Sequence, residues 1–203
     1  MISISELTLS YGARNVVSNF SASIARGTIT AILGANGTGK STLLSAIAGD
    51  ISPTAGEITI DGVSIKALKS RELSRLRSLA QQSHSYWMAY TTKEILRLGN
   101  DDISQDRFNY LVEKLGAAEF LNQRVTTLSG GQSQRIEIAR ALMRELPIVL
   151  LDEPFASQDL KSITAITELL QEERASGRTI ILVAHARREE LSWCDQVIEL
   201  NAR

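Results

Sequence analysis

The stretch Gly34-Ala35-Asn36-Gly37-Thr38-Gly39-Lys40-Ser41-Thr42 decides the fold of this chain. It fits the pattern Gly-x-x-x-x-Gly-Lys-Ser/Thr, in which glycines let successive backbone N–H groups point at one phosphate. A β-rich apolar stretch, residues 28–33, precedes the motif, and residues 43–48 after it carry a helical apolar face. Because the start of such a helix adds the positive end of its dipole, this context predicts a nucleoside triphosphate site rather than a simple glycine-rich turn.

Two side chains at the end of this P-loop carry further chemistry. Lys40 supplies a mobile cation for the β- and γ-phosphates, and the Ser41 hydroxyl can coordinate Mg²⁺. The nucleotide-binding residues predicted from the loop are Gly34, Asn36, Gly37, Thr38, Gly39, Lys40, Ser41 and Thr42. Tyr11 lies in a Tyr-Gly turn, where it is either a surface tyrosine or a platform on which a purine base stacks.

Composition narrows the class of protein. The 203 residues are 43% hydrophobic, enough for the core of one large domain, and the formal net charge of −1 gives no basic field to recruit nucleic acid. The single cysteine, Cys194, excludes an internal disulfide, and the two histidines lack partners at metal-ligand spacing. No apolar run approaches the ~20 residues of a membrane span, and the N-terminus has no signal-peptide pattern. We therefore expect a soluble, cytoplasmic protein.

The remaining pattern predicts an α/β fold. Strands are expected at residues 2–9, 16–24, 28–33, 57–60, 63–65, 78–81, 148–151, 179–183 and 196–200. After the P-loop helix, further helices are expected at residues 68–76, 92–98, 105–115 and 117–121, from Ser129 to Leu146, and along an apolar face that contains Leu160, Ile163, Ile166, Leu169 and Leu170. Residues 83–144 contain few β-branched runs and are interpreted as a helical insertion in a strand-rich core.

Two further motifs carry chemistry. Leu128-Ser129-Gly130-Gly131-Gln132 places a capping serine and two bare glycine N–H groups at a helix start, which makes a second anion site. Asp152 and Glu153 follow the fully apolar strand at residues 148–151, and the carboxyl ends of such strands are where open α/β sheets place their chemistry.

These motifs together resemble the nucleotide-binding subunit of an ATP-binding cassette (ABC) transporter, over the whole chain. The Leu-Ser-Gly-Gly-Gln sequence before the Asp152-Glu153 strand is specific to that class. The resemblance implies a single domain, residues 1–203, with ATP and Mg²⁺ as cofactors. Within it, a P-loop NTPase (RecA-like) core with an antiparallel β subdomain takes residues 1–82 and 145–203, and an inserted α-helical subdomain takes residues 83–144.

The resemblance also implies roles for individual residues. Those expected at the chain's own ATP are Tyr11 on the adenine, Asp152 and Ser41 at Mg²⁺, Glu153 as the general base for water, His185 at the γ-phosphate, and Gln82 at both Mg²⁺ and the water. Gln81 is a rival for Gln82. Residues expected to serve a second copy are Ser129, Gly130, Gly131 and Gln132, which close over the partner's ATP, and Asp159, which joins the two sites.

Three departures from the family pattern leave these groups in place. Residues 156–159 read Ala-Ser-Gln-Asp where Ser-Ala-Leu-Asp is usual, so contacts across the dimer are expected to differ. Ala186 follows the histidine where aspartate is common, and the short tail usual beyond the last strand is missing. Since no catalytic group is lost, the resemblance implies an active ATPase.

The function implied is an ATPase subunit that drives a membrane transporter. Two copies are expected to stack head to tail, and a transmembrane permease is expected to contact the aromatic stretch containing Tyr86, Trp87, Met88 and Tyr90, which could otherwise be buried packing. This places the subunit on the cytoplasmic face of the cell membrane through its partner. Residues 79–99 are similar to ATPases of metal-chelate, siderophore and cobalamin importers. The alternatives are a small exporter ATPase and a soluble ABC ATPase such as an iron–sulfur assembly factor.

Overall fold

A computed structural model describes residues 1–12, 14–81, 90–100 and 102–201. In chain order the strands are β1 (Ile2–Tyr11), β2 (Arg14–Ile24), β3 (Ile29–Leu33), β4 (Ala55–Ile60), β5 (Val63–Ser64), β6 (Arg77–Ala80), β7 (Ile148–Asp152), β8 (Thr179–Val183) and β9 (Gln196–Glu199). The helices are α1 (Lys40–Ala48), α2 (Ser70–Leu76), α3 (Thr92–Arg97), α4 (Gln105–Lys114), α5 (Gly130–Met143) and α6 (Leu160–Ala175). Short 3₁₀ turns lie at Ile65–Ala67, Ala118–Phe120, Val125–Thr127 and Arg188–Leu191.

A parallel sheet in the order β6-β7-β8-β3-β9 forms the centre of the molecule. Every residue of β3, β7 and β8 is buried, as expected for strands covered on both faces. In register, Val183 of β8 lies opposite Ile32 of β3 on one side and Asp152 of β7 on the other. The carboxyl ends of β3, β8 and β7 therefore meet at one edge of the sheet.

An antiparallel sheet in the order β2-β1-β4-β5 packs beside this core. Its last hairpin turns at Asp61 and Gly62, whose φ angles of 53° and 81° are the left-handed pair of a type I′ turn. The Asp-Gly signal at these positions correctly predicted the hairpin. The α/β class with separate antiparallel and parallel sheets is confirmed.

Two local expectations were wrong. The helix predicted at residues 117–121 is a single 3₁₀ turn, Ala118–Phe120, because the Phe120 N–H donates to the Ala117 carbonyl (3.2 Å), an i→i+3 bond. Leu160 was placed on the buried face of α6, yet 82% of it is exposed. It is the first residue of α6, whereas Ile166 and Leu170 further along do reach the core.

Arg178 ties the end of α5 to α6 and the start of β8. Its guanidinium donates to the carbonyls of Leu146 (2.9 Å) and Arg144 (2.9 Å), which follow α5, and to the Glu173 carboxylate of α6 (2.6 Å). Burial lowers the pKa of Arg178, and the Glu173 carboxylate opposes that effect. A second guanidinium, Arg107 of α4, also reaches Glu173 (2.8 Å). Helices α4 and α5 are thus anchored to α6, the helix that follows the strand ending at Asp152.

Candidate functional site

The P-loop connects β3 to α1 and needs glycine where the chain passes close to its neighbours. Gly34 has a φ of 152°, and a Cβ atom there would lie 2.4 Å from the Leu200 carbonyl oxygen. Gly39 has a φ of 95°, and a Cβ atom there would lie 2.7 Å from a methyl group of Val16. Since neither contact could be tolerated without moving β2 or the end of β9, the loop shape depends on these two glycines.

Lys40 begins α1 and is only 5% exposed. Its ammonium donates to the carbonyls of Gly34 (2.9 Å) and Ala35 (3.0 Å), which holds the side chain back over the loop. Burial lowers the pKa of Lys40, while the nearby carboxylates of Glu153 and Asp152 act in the opposite direction. An ammonium has three N–H donors, so the two loop contacts leave one for an anion in the loop.

Asp152 is the last residue of β7 and is buried beside the start of α1. Its carboxylate accepts a hydrogen bond from the Ser41 hydroxyl at 3.1 Å. Burial raises the pKa of Asp152, and the Glu153 charge adds to that effect, whereas the Ser41 hydrogen bond and the Lys40 charge lower it. A hydroxyl and a carboxylate this close are hard oxygen donors, which fit Mg²⁺.

Glu153 and His185 meet across the ends of β7 and β8. The His185 Nε2 atom lies 2.6 Å from the Glu153 carboxylate. The Glu153 backbone has a φ of 51°, a conformation unusual for a residue with a side chain, and its N–H donates to the Val183 carbonyl at 3.1 Å. Adjacent strands thus fix a carboxylate and an imidazole together above the P-loop.

These groups share one cleft. It is lined by Val16, Asn36, Gly37, Gly39, Lys40, Ser41, Thr42, Glu153 and His185. The structure therefore brings six of the eight predicted P-loop residues together with Glu153 and His185, whereas Gly34 and Thr38 do not line this cleft. Asp152 joins the group through Ser41.

Other predicted site residues lie elsewhere. Tyr11, at the end of β1, is 59% exposed and does not line the cleft. Gln81 follows β6, which pairs with β7, while Gln82 lies outside the described residues, as do Tyr86, Trp87 and Met88. Tyr90 is described and partly buried against the core around α3 to α5.

The Ser129–Gln132 segment forms a separate surface at the start of α5. The Ser129 hydroxyl accepts from the Gln132 N–H (3.2 Å), and the Gln132 side chain accepts from the Ser129 N–H (2.9 Å), which is a capping box. Asp159 caps α6 in a similar way through the Ser162 N–H (2.8 Å). In the described part of the chain, neither residues 129–132 nor Asp159 line the P-loop cleft.

Sequence reasoning missed Gln134, which is 5% exposed. Its side-chain amide donates to the carbonyls of both Asp152 and Glu153, at 3.3 Å each, and so holds the end of β7 from the side of α5. The available signal was its position: Gln134, Ile138 and Leu142 follow a four-residue spacing on the buried face of α5, and a polar residue on that face needs a partner.

Comparison with known proteins gives the class. Residues 17–156 match the sequence model of the family described as ABC transporter, and that range is more than half of the chain. The chain belongs to the ABC transporter family. Within that family it is an ATP-binding subunit, which hydrolyses ATP to drive transport, binds a second ATPase subunit and works with a permease.

Individual relatives are similar to this chain over nearly all of its length. The hemin import ATP-binding protein HmuV of Rhizobium meliloti is 33% identical, over 100% of this chain and 82% of its own. The zinc transport system ATP-binding protein TroB of Treponema pallidum is 33% identical, over 100% of this chain and 79% of its own. The dimeric structure of MJ0796, a bacterial ABC transporter cassette, superposes with a TM-score of 0.86 at 30% identity, over 99% of this chain and 94% of that one.

Among the helices of the described residues, none combines the length and the apolar character that a bilayer span requires.

We expect Lys40→Ala to abolish ATP hydrolysis and weaken nucleotide binding, because Lys40 is the cation that the loop holds over the phosphate site. Phosphate release and binding of a fluorescent ATP analogue measure the two effects. The matched control is Lys66→Ala, an exposed lysine away from the cleft, which should behave as the parent protein. Normal turnover by a folded Lys40→Ala protein would contradict the assignment of the site.

Proposed function

We propose that this chain is the ATPase subunit of an importer for a metal ion or a metal chelate. The observation that carries this proposal is the agreement, over the whole chain, with ATP-binding subunits named for hemin import and zinc transport. The transported substrate is expected to be recognised by the partner chains, since the described cleft of this chain is built for phosphate.

The proposed Mg²⁺ ligands are Ser41 and Asp152, with Gln82 as a further ligand. The first two fit, because a hydroxyl and a carboxylate already lie 3.1 Å apart beside the P-loop. When bound, Mg²⁺ supplies charge neutralisation at the β- and γ-phosphate oxygens. Lys40 adds a second positive charge on the loop side, and the backbone N–H groups of residues 34–42 hold the phosphates in position.

Glu153 is the proposed general base. As the oxygen of the attacking water bonds to the γ-phosphorus and the bond to the ADP oxygen breaks, the Glu153 carboxylate accepts the water proton. His185 is proposed to orient that carboxylate, which lies 2.6 Å from its Nε2 atom, and to reach the γ-phosphate. Tyr11 is proposed to stack on the adenine, since its exposed ring is available for a base.

The proposed dimer is head to tail. The capped helix start at Ser129, Gly130, Gly131 and Gln132 is a surface with backbone N–H groups but no phosphate loop of its own, and it lies outside the P-loop cleft. A second copy placed head to tail would bring this surface over the partner's ATP, with Asp159 close to the junction. Each ATP would then be enclosed by the two chains together.

We also propose that the permease binds the stretch containing Tyr86, Trp87, Met88 and Tyr90, which would hold the subunit at the cytoplasmic face of the cell membrane. The part that is described, Tyr90, accepts a hydrogen bond from the Val125 N–H (3.0 Å) through its carbonyl. Tyr90 is thus bonded to the 3₁₀ turn Val125–Thr127, which precedes Ser129, and this contact supports a route from permease to ATP.

We expect Glu153→Gln to hydrolyse ATP ~10²–10⁴-fold more slowly while still binding it, because the amide keeps the shape but cannot accept the proton. ATP should then accumulate a dimer, which size-exclusion chromatography with Mg-ATP detects. Glu57→Gln, an exposed change on β4, is the control and should turn over normally. A Glu153→Gln protein that stays monomeric at saturating ATP would count against the head-to-tail dimer.

Trp87→Ala and Tyr90→Ala separate docking from packing. We expect Trp87→Ala to leave the thermal melt and basal ATPase of the isolated subunit near normal but to weaken permease assembly, since truncating an interface aromatic commonly costs ~2 kcal/mol or more. Tyr90 belongs to the same stretch but also packs against the core, so Tyr90→Ala is the contrasting variant and should lower the melting temperature as well as permease assembly. A destabilised Trp87→Ala subunit would contradict the docking proposal.

Reconstitution tests the function itself. The subunit, purified with its membrane partner and placed in liposomes, should move a radiolabelled zinc ion or hemin toward the side that holds ATP and the ATPase subunits. Movement away from that side would indicate an exporter. Failure of any polytopic membrane protein to co-purify would favour the soluble iron–sulfur assembly class instead.

A further inference from the structure

The loop after Glu153 contacts the start of α5 through the side chain of Gln158. The Gln158 side-chain amide donates to the Gly131 carbonyl at 2.9 Å, and it also approaches the Ala156 carbonyl at 3.4 Å. A leucine, which the resemblance implies at this position, would have no donor. The contact to Gly131 therefore requires the glutamine side chain that this sequence carries.

The backbone of this loop lies very close to the backbone of the first turn of α5 beside this contact. Ser157 has a φ of 58°, a left-handed conformation that turns the loop toward α5. A Cβ atom on Gly131 would lie 2.5 Å from the Ser157 carbonyl oxygen, so only glycine allows this approach. The Gln158 bond thus fixes a close backbone contact in place.

A second set of hydrogen bonds joins α5 to the start of the loop that follows β7. Gln134, one turn further along α5, donates to the carbonyls of Asp152 and Glu153. The loop from Glu153 to Gln158 is consequently bonded to α5 at both of its ends. Movement of either end relative to the first turns of α5 would break at least one of these hydrogen bonds.

We infer that Gln158 is a positioning residue that couples Glu153 to the Ser129–Gln132 surface of the same chain. This inference rests on the proposed head-to-tail dimer, in which Glu153 serves one ATP and residues 129–132 serve the other. Gln158 then links the two ATP sites through one chain. Closure of residues 129–132 on the partner's ATP would be transmitted to the loop that carries the chain's own general base.

The test is Gln158→Leu, which removes the donor and keeps a side chain of similar size. Its control is Gln196→Leu, which removes an amide-to-carbonyl bond of the same kind, from Gln196 to Ser23 (3.2 Å), together with the bond that the Gln196 side-chain oxygen accepts from the Thr30 hydroxyl (3.3 Å). Gln196 is therefore the more demanding comparison for stability, and it lies away from both ATP surfaces. Two measurements are made: amide hydrogen exchange of peptides covering residues 129–136, and ATP-driven dimer formation in a Glu153→Gln background.

We expect Gln158→Leu to speed exchange in residues 129–136 by about 3- to 10-fold, the effect of one net hydrogen bond, and to lower the melting temperature by no more than ~2–4 °C. The dimer of the double variant should require roughly tenfold more protein to form, because the bond is lost in both copies. Gln196→Leu should change neither quantity.

Contrary results separate the two proposals. If the Glu153→Gln parent forms no dimer, the head-to-tail arrangement fails, while the exchange data still report whether Gln158 holds residues 129–136. If the parent dimerises and the double variant does so equally well, the coupling role of Gln158 is wrong. A melting temperature lowered by more than ~4 °C, with faster exchange throughout the chain, would also overturn it, by showing a general structural role.

Discussion

The site depends on three parallel strands, β7, β8 and β3, lying side by side with their carboxyl ends level. Because β8 stands between the other two, the P-loop that follows β3 and the carboxylates that end β7 reach the same cleft from either side of His185. The strands are buried on both faces, which leaves their ends as the place where polar groups can meet solvent and substrate. A disturbance of this sheet would therefore affect every group in the cleft.

At this edge of the sheet, burial and neighbouring charges have opposite effects on the pKa of Lys40 and, in part, on that of Asp152. Burial acts against the charged forms of both Lys40 and Asp152, lowering the pKa of the one and raising that of the other. The positive charge of Lys40 and the negative charge of Asp152 each favour the charged form of the other group. The Glu153 carboxylate favours the charged form of Lys40 and disfavours the charged form of Asp152. A triphosphate and a divalent cation would each bring charge of the sign that one of these groups is suited to hold. The cleft is thus arranged for a charged pair of ligands and not for a neutral one.

Much of this was predictable because it follows from local rules. The P-loop pattern, the apolar strand before Asp152 and the Asp-Gly turn at residues 61 and 62 each specify their own backbone. Contacts that depend on distant segments were not predictable. Nothing in the sequence near Gln158 indicates that Gly131 is its partner, and the exposure of Leu160 depends on where α6 meets the core.

The P-loop cleft and the Ser129–Gln132 surface lie apart on the chain, although hydrogen bonds connect them. The Ser129–Gln132 surface lies outside the P-loop cleft, yet Gln134 and Gln158 bond the same helix start to the loop that carries Glu153. Such hydrogen bonds hold two elements in a fixed relation and do not bring the surface to the chain's own cleft. In the proposed head-to-tail dimer a second molecule would fill this gap, and a rigid link would carry its arrival from one cleft to the other. The internal bonds of the chain fit that proposal, and the chain shares its fold with a cassette whose structure is dimeric.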